Sequence, residues 1–274
     1  MVLVIIVLGF LGLCFGSFTN ALVWRVYLRE KGQKSRELSI LNGRSMCPDC
    51  RHELAAKDLM PVFSWLALHG RCRYCGKPIS WQYPAVELTG AAVFVISYLL
   101  WPVTLAGAGQ WILFVSWLAA AIGLLALAVY DIRWMVLPNH ILYPALLAAL
   151  GGRLAYIFFY TDNIAHNLEL LALSLIVASG VFLLLFIVSQ GKWIGFGDVR
   201  LGLVTGTLLA TPSKSFLMIF LSSILGTAFV LPALLAGKKT ATSRMPYGPF
   251  LIASTFIVLL FGDSIINWYK IHLL

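Results

Sequence analysis

What this chain has little of is charge. Only 11% of its 274 residues are Asp, Glu, Lys or Arg, against 60% hydrophobic, and the mean hydropathy is +0.89. A soluble domain of this length cannot keep so much apolar surface from water, which leaves a polytopic membrane protein. Acids are scarcer than bases, eleven to twenty, giving a net charge of +9. A basic loop on the inner side of a membrane protein accounts for that excess, so no nucleic-acid partner is implied. The chain also lacks a Gly-rich strand–helix phosphate motif of the Rossmann kind, and it shows no internal repeat or low-complexity tract. The first apolar run has neither the basic start nor the small-residue cleavage site of a signal peptide, so a retained anchor is expected.

What is present is a series of long apolar runs. The first, residues 1–23, is followed by others near 84–103, 111–130, 140–160, 168–189, 196–213, 215–236 and 249–269. Backbone polar groups inside a bilayer must be satisfied within each segment, so an all-α protein of about eight transmembrane helices is expected. The sixth run is the least regular, because Gly195, Gly197, Gly202, Gly206 and Pro212 all weaken a helix. Three segments follow: the first transmembrane helix (1–23), a polar loop (24–82) and a seven-helix membrane domain (83–274).

Charge sets the expected orientation. Residues 24–82 hold eleven of the twenty basic residues and five of the eleven acids. With eight alternating spans, Arg133, Lys192, Arg200, Lys238, Lys239 and Arg244 fall on the same side as that loop, leaving Arg153, Lys214 and Lys270 elsewhere. Positive residues favour the cytoplasmic side, so the loop is expected inside and both termini outside.

Four of the five cysteines lie in that loop, as Cys47-Pro-Asp-Cys50 and Cys72-Arg-Tyr-Cys75. Two such pairs can supply four thiolates at the corners of a tetrahedron, which suits Zn²⁺. A cytoplasmic loop disfavours stable disulfides. All four corners would be filled by protein, so the metal would be structural. Cys14 lies in the first span and reads as packing, and His52 and His69 read as solvated loop residues.

Beyond Glu87 the only acids are Asp131, Asp162, Glu169, Asp198 and Asp263. Asp162, Glu169 and Asp263 fall near span ends and outer loops, where solvation suffices. Asp131 closes the third span and Asp198 opens the sixth, so both are expected at the same membrane boundary. Ionisable groups there mark function or a paired structural contact. Two readings stand open on spacing alone: ion pairs with neighbours such as Arg133 or Arg200, or a carboxylate dyad. Two close carboxylates in a low-dielectric site would share a proton. The ionised one could then take a proton from water, and the protonated one could polarise a carbonyl and protonate a leaving amine. No Ser, Cys or His cluster at these boundaries competes as nucleophile. Gly195 and Gly197 would let a substrate backbone come close to Asp198 and permit local unwinding. From another class altogether, a transporter could use the same two aspartates to bind protons or cations, although matched inverted halves are missing.

The motifs together resemble the type IV prepilin peptidases, bacterial membrane aspartyl proteases. The resemblance is carried by Gly16-Ser17-Phe18-Thr19-Asn20 with Arg25, the cysteine loop through Glu87 and Gly90, "DIRWMVLPN" at Asp131, "GFGDVRL" at Asp198, and "PYGPFL" from Pro246. It departs from the family pattern at Arg25-Val26-Tyr27 and at Arg200. The resemblance implies that Asp131 and Asp198 are the catalytic pair and that the basic leaders of prepilins or pseudopilins are the substrates. It also implies a bacterial inner-membrane location, with loop and active site on the cytoplasmic side. It further implies methyl transfer from S-adenosylmethionine to the newly exposed amine, an activity that spacing and composition do not reveal. Glu87 is a candidate to hold the substrate amine or the cofactor ribose. Its other reading is a helix N-terminal charge favoured by the dipole.

Overall fold

The computed structural model describes residues 1–33, 38–39, 43–237 and 245–273. Lys238, Lys239 and Arg244, three of the residues used for orientation, lie outside them. Among the described residues the chain is helical, with isolated bridges at Met46–Glu53 and Arg71–Pro78 and no strand. The helices are α1 (Val2–Glu30), α2 (Phe63–Ala67), α3 (Gln82–Leu99), α4 (Ala108–Trp134), α5 (Asn139–Tyr160), α6 (Ile164–Ser189), α7 (Phe196–Leu209), α8 (Pro212–Leu235) and α9 (Gly248–Leu273).

A helix forms at each of the eight expected runs, but six, not eight, are long and apolar enough to cross a membrane: α1, α4, α5, α6, α8 and α9. The two that fall short do so for different reasons. α3 begins with Gln82, Tyr83 and Pro84 and carries Glu87, so its apolar part is brief. α7 has 14 residues, about 21 Å of helix, which is well short of a hydrocarbon core about 30 Å thick.

By packing, the chain divides into two units, Met1–Leu100 and Trp101–Leu274. In the first, α1 lies along α3. Their backbones touch through small residues. A Cβ added to Gly12 would meet Ala91 Cα at 2.6 Å, and one added to Gly16 would meet Glu87 Cα at 2.6 Å. This is the small-residue spacing that allows close helix approach where apolar side chains gain nothing by leaving lipid. Asn20 ties the same pair from its buried position: its amide donates to Tyr83 O at 3.1 Å and its Oδ1 accepts from Gln82 at 3.2 Å.

In the second unit α4 packs on α5, α6 on α7, and α8 on α9. α7 is the centre of this arrangement, touching α5, α6, α8 and α9. Nine of its residues from Val199 to Leu209 are buried. A helix walled by protein rather than lipid does not need the full apolar length of a bilayer core. Its glycines, which weaken helices in isolation, are the reason it fits. A Cβ on Gly202 would strike Ala178 O at 2.5 Å, and one on Gly206 would meet Ala178 Cβ at 2.9 Å. Ser174 and Ser179 of α6 donate to Gly206 O and Val199 O, each at 2.8 Å, and lock that contact.

Candidate active site and metal centre

The end of α4 and the starts of α5, α7 and α9 converge within the second unit. Asp131 sits in the last turn of α4, which stops at Met135 in the left-handed region, φ 54°, with the Met135 N–H returning to Asp131 O at 2.8 Å. The short link then presents Leu137 inward, 6% exposed, before Pro138 caps α5. Asp198 is the third residue of α7, after the cap Gly195, and its N–H bonds Gly195 O at 3.1 Å. At the third site, Gly248 opens α9 and its N–H donates to Asp131 Oδ2 at 3.0 Å.

Asp131 is 5% exposed and Asp198 half-buried. Gly197, the neighbour of Asp198, and Gly248, which binds Asp131, both face Leu137, so the two aspartates come to the same end of the helices. Leu137 lies against both glycines. A Cβ on Gly197 would meet Leu137 Cδ1 at 3.2 Å, and one on Gly248 would lie 3.6 Å from Leu137 Cδ2 and 2.8 Å from Asp131 Oδ2. Neither aspartate joins an ion pair among the described residues. The two arginines that could have paired with them are engaged elsewhere. Arg133 stands 5.6 Å over the Trp134 ring, while Arg200 lies 5.4 Å over Phe196 and donates to Asn139 Oδ1. Among the described residues, the ion-pair reading of these acids is therefore not what forms.

The two glycines behave differently from one another. Gly197 lies within the first turn of α7, not in unwound chain, and its missing side chain makes room for Leu137. Gly195 has only Asp198 Oδ2, at 3.7 Å, and Gly197 N, at 3.9 Å, near its would-be Cβ, so it leaves the carboxylate uncovered on that side. Of the other acids, Asp263 pairs with Lys214 at 2.8 Å and is 62% exposed at its side chain. The contributions of Gly248 and Leu137 were hidden in the sequence: the "PYGPFL" motif marked Gly248, but nothing in it pointed to a contact 117 residues away.

The cysteine loop belongs to the first unit. The Sγ atoms of Cys47, Cys50, Cys72 and Cys75 all lie within 4.8 Å of one another, with Cys47 and Cys75 3.9 Å apart. Four thiolates about 2.3 Å from one tetrahedral Zn²⁺ would stand about 3.8 Å apart, so the residues fit a metal. The two halves repeat one backbone design. Cys47 N bonds His52 O and Arg51 N bonds Cys47 O, at 3.0 and 2.9 Å; Cys72 N bonds Lys77 O and Gly76 N bonds Cys72 O, at 2.8 and 2.9 Å. The fourth position after each leading cysteine is left-handed: Arg51 at φ 57° and Gly76 at φ 71°. Burial pushes the Cys47 thiol up to about 12, so a bound cation has to displace that proton. His52 stacks on Tyr74 at 3.7 Å between ring centroids and is not part of the cluster.

The loop is also tied down by charge. Asp58 is buried to 3% side-chain exposure and accepts from Arg73 Nε at 2.7 Å and Tyr74 Oη at 3.0 Å. Glu87 is likewise engaged: its Oε2 accepts from Val62 N at 2.7 Å, and the Ser17 hydroxyl also bonds it. It thus joins α1, α3 and the loop.

These features define a class: a multi-pass membrane protein with two aspartates at the same end of its helices and a four-cysteine cluster that can hold a metal ion. Residues 10–101 match the bacterial peptidase A24 N-terminal domain, and residues 118–231 match the type IV leader peptidase family. Relatives named prepilin leader peptidase/N-methyltransferase include one from Bacillus subtilis, 30% identical over 96% of this chain and 96% of the relative. One from Aeromonas hydrophila is 30% identical over 96% and 92%, and one from Pseudomonas aeruginosa 29% over 94% and 91%. No solved structure matches. The chain belongs to the type IV leader peptidase family and is an enzyme. The two matched regions track the two packing units, with Asp131 and Asp198 inside the second and all four clustered cysteines inside the first.

Proposed function

We propose that this enzyme is an aspartyl endopeptidase that cleaves the basic leader of type IV prepilins or pseudopilins, and then methylates the new N-terminus from S-adenosylmethionine. The observation that carries the reading is that Asp131 and Asp198, 67 positions apart in sequence, come to the same end of the helices around Leu137, and that neither joins an ion pair among the described residues. A carboxylate pair left unneutralised at the edge of an apolar unit is equipped to hold one proton between two groups. The ionised carboxylate takes a proton from water as the water attacks the scissile carbonyl. The protonated one polarises that carbonyl and then gives its proton to the departing amine. The Gly248 N–H fixes one oxygen of Asp131 and orients it, and the bare edge at Gly195 leaves space for a substrate backbone beside Asp198.

The relatives' names support both activities for this chain. With the shorter α3 and α7 also passing from one side to the other beside the six long helices, the distribution of basic residues supports an orientation with the cysteine loop and both aspartates on the cytoplasmic side of a bacterial inner membrane. A basic leader then stays inside while the apolar segment after it enters the bilayer, so the scissile bond sits at the boundary. Cys47, Cys50, Cys72 and Cys75 would hold a structural Zn²⁺, which supplies a cross-link to a polar loop and takes no part in either reaction. Glu87 serves in this reading chiefly as the anchor of Val62, and the residues that bind S-adenosylmethionine are not assigned. No observation favours the transporter reading.

Co-expression with a candidate prepilin tests the proposal. The expected product has lost its leader and gained the mass of one methyl group. An uncut prepilin sinks the peptidase reading, whereas a cut but unmethylated one, with S-adenosylmethionine present, removes the second activity alone.

A further inference from the structure

The cysteine loop carries apolar side chains that its own fold does not cover. Met60 is 54% exposed, Phe63 64%, Leu66 56% and Trp81 71%. Phe63 and Leu66 stand three positions apart on the short helix α2, so they share one face, and Met60 lies in the turn just before it. Trp65, also in α2, links that helix to Trp81: its Nε1 donates to Ile79 O at 3.2 Å and its ring packs 4.2 Å from the Trp81 ring. Trp81 is the residue that caps α3.

This face is held next to α3, which packs along the membrane-crossing α1. The Val62 N–H, in the middle of the stripe, is bound by Glu87 in the second turn of α3, and Val62 adopts φ 62°, a conformation costly for a β-branched residue. Strain of that kind persists only when its surroundings enforce it. Here the enforcing contact pins Met60, Phe63 and Leu66 beside the start of α3.

Charge points to the same partner. Across the described part of the loop, Asp49, Glu53 and Asp58 are each matched by Lys77, Arg44 and Arg73. Arg51, Lys57 and Arg71 are exposed and join no ion pair. Exposed apolar side chains in a loop with surplus cations, with a tryptophan at the start of the helix packed along α1, are what an anionic bilayer surface accommodates. We propose that Met60, Phe63, Leu66 and Trp81 insert into the headgroup–acyl boundary of an anionic bilayer and seat the cysteine loop on the membrane surface. This inference stands apart from the proposed chemistry and does not depend on it.

An environment-sensitive fluorescent amino acid at position 63 of the full chain tests it. The protein is placed in nanodiscs of phosphatidylglycerol and phosphatidylcholine. Quenching by lipids bearing a nitroxide high on the acyl chain, together with protection from iodide, is the expected result. The protection should weaken in phosphatidylcholine alone. Quenching by iodide and not by lipid overturns the proposal, as does a probe that becomes protected only when a prepilin is added, which would assign the face to the substrate's apolar segment. As a second variant, Phe63→Glu with Leu66→Glu should speed trypsin cleavage after Lys57 in anionic nanodiscs while zinc stays bound to the loop. An unchanged cleavage rate with zinc retained also overturns it.

Discussion

Gly248 N donates to Asp131 Oδ2 at 3.0 Å, joining the first turn of α9 to the last turn of α4 across 117 positions. Through this bond the start of the last helix sets the rotamer of one carboxylate of the pair. A side chain at position 248 would occupy the place where that carboxylate sits.

Asp131→Asn and Asp198→Asn are each expected to lower leader cleavage by about 10²–10⁴-fold, the span associated with a lost acid or base. Membrane insertion and helix content should hold, since neither residue is in an ion pair among the described residues. Processing assays on membranes with matched protein levels check this, and normal cleavage by either variant removes that aspartate from the chemistry.

Gly248→Ala places a Cβ 2.8 Å from Asp131 Oδ2 and forces the carboxylate to turn. A displacement of that order costs up to about 10²-fold in rate. The loss should fall on kcat more than on KM, because position and not binding area changes. Steady-state kinetics with a purified prepilin distinguish the two. Gly195→Ala, with nothing nearer than 3.7 Å to its added Cβ, should fold normally and impair cleavage only if substrate passes there.

The four-cysteine cluster predicts about one zinc per chain. Chelation or Cys72→Ser should expose the loop to protease and lower processing indirectly, since one missing ligand leaves the remaining three thiols without a tetrahedral centre. Metal analysis alongside limited proteolysis is the measurement. Full activity with zinc stripped to background would refute the structural role.

Gly16→Val drives a branched side chain into the α3 backbone, where a Cβ would already lie 2.6 Å from Glu87 Cα. Overpacking of this kind costs about 1–3 kcal/mol. Thermal unfolding in detergent should show it, whereas Gly107→Val, at a position with open space, should not.

Asp58 supplies a pH dependence. Burial opposes its ionisation, but hydrogen bonds from Arg73, Tyr74 and the Ala55 N–H outweigh burial and hold its carboxyl below the ordinary value. A lowered folded value stabilises the loop above the ordinary carboxylate range, about pH 4, and that contribution is lost as pH falls through the folded value. The stability gap between the natural chain and Asp58→Asn should be full at neutral pH and close under acid. A gap that persists unchanged into strong acid would contradict the assignment.

Much of this protein could be read from local pattern. Apolar runs announce membrane helices because the bilayer penalises every exposed backbone group. Two Cys-x-x-Cys pairs announce one cluster because each knuckle closes on its own backbone, Arg51 and Gly76 turning the chain at equivalent positions. Asp131 and Asp198 stood out because carboxylates are rare at membrane boundaries. What remained illegible depends on which backbones touch. The glycines of α7 read as helix weakness, yet Gly202 and Gly206 are the sites where α6 comes within contact of the α7 axis. That close packing walls α7 with protein, so a helix of 14 residues serves where a span was expected. Arg133 and Arg200 looked like natural partners for the aspartates, but rings at Trp134 and Phe196 and the amide of Asn139 hold them away. The positions of Leu137, Gly248 and Val62 follow the same rule. Their neighbours are distant in sequence and chosen by packing, so the sequence by itself determined the membrane class, the cysteine cluster and the two acids. Only the tertiary structure decided which groups would surround them.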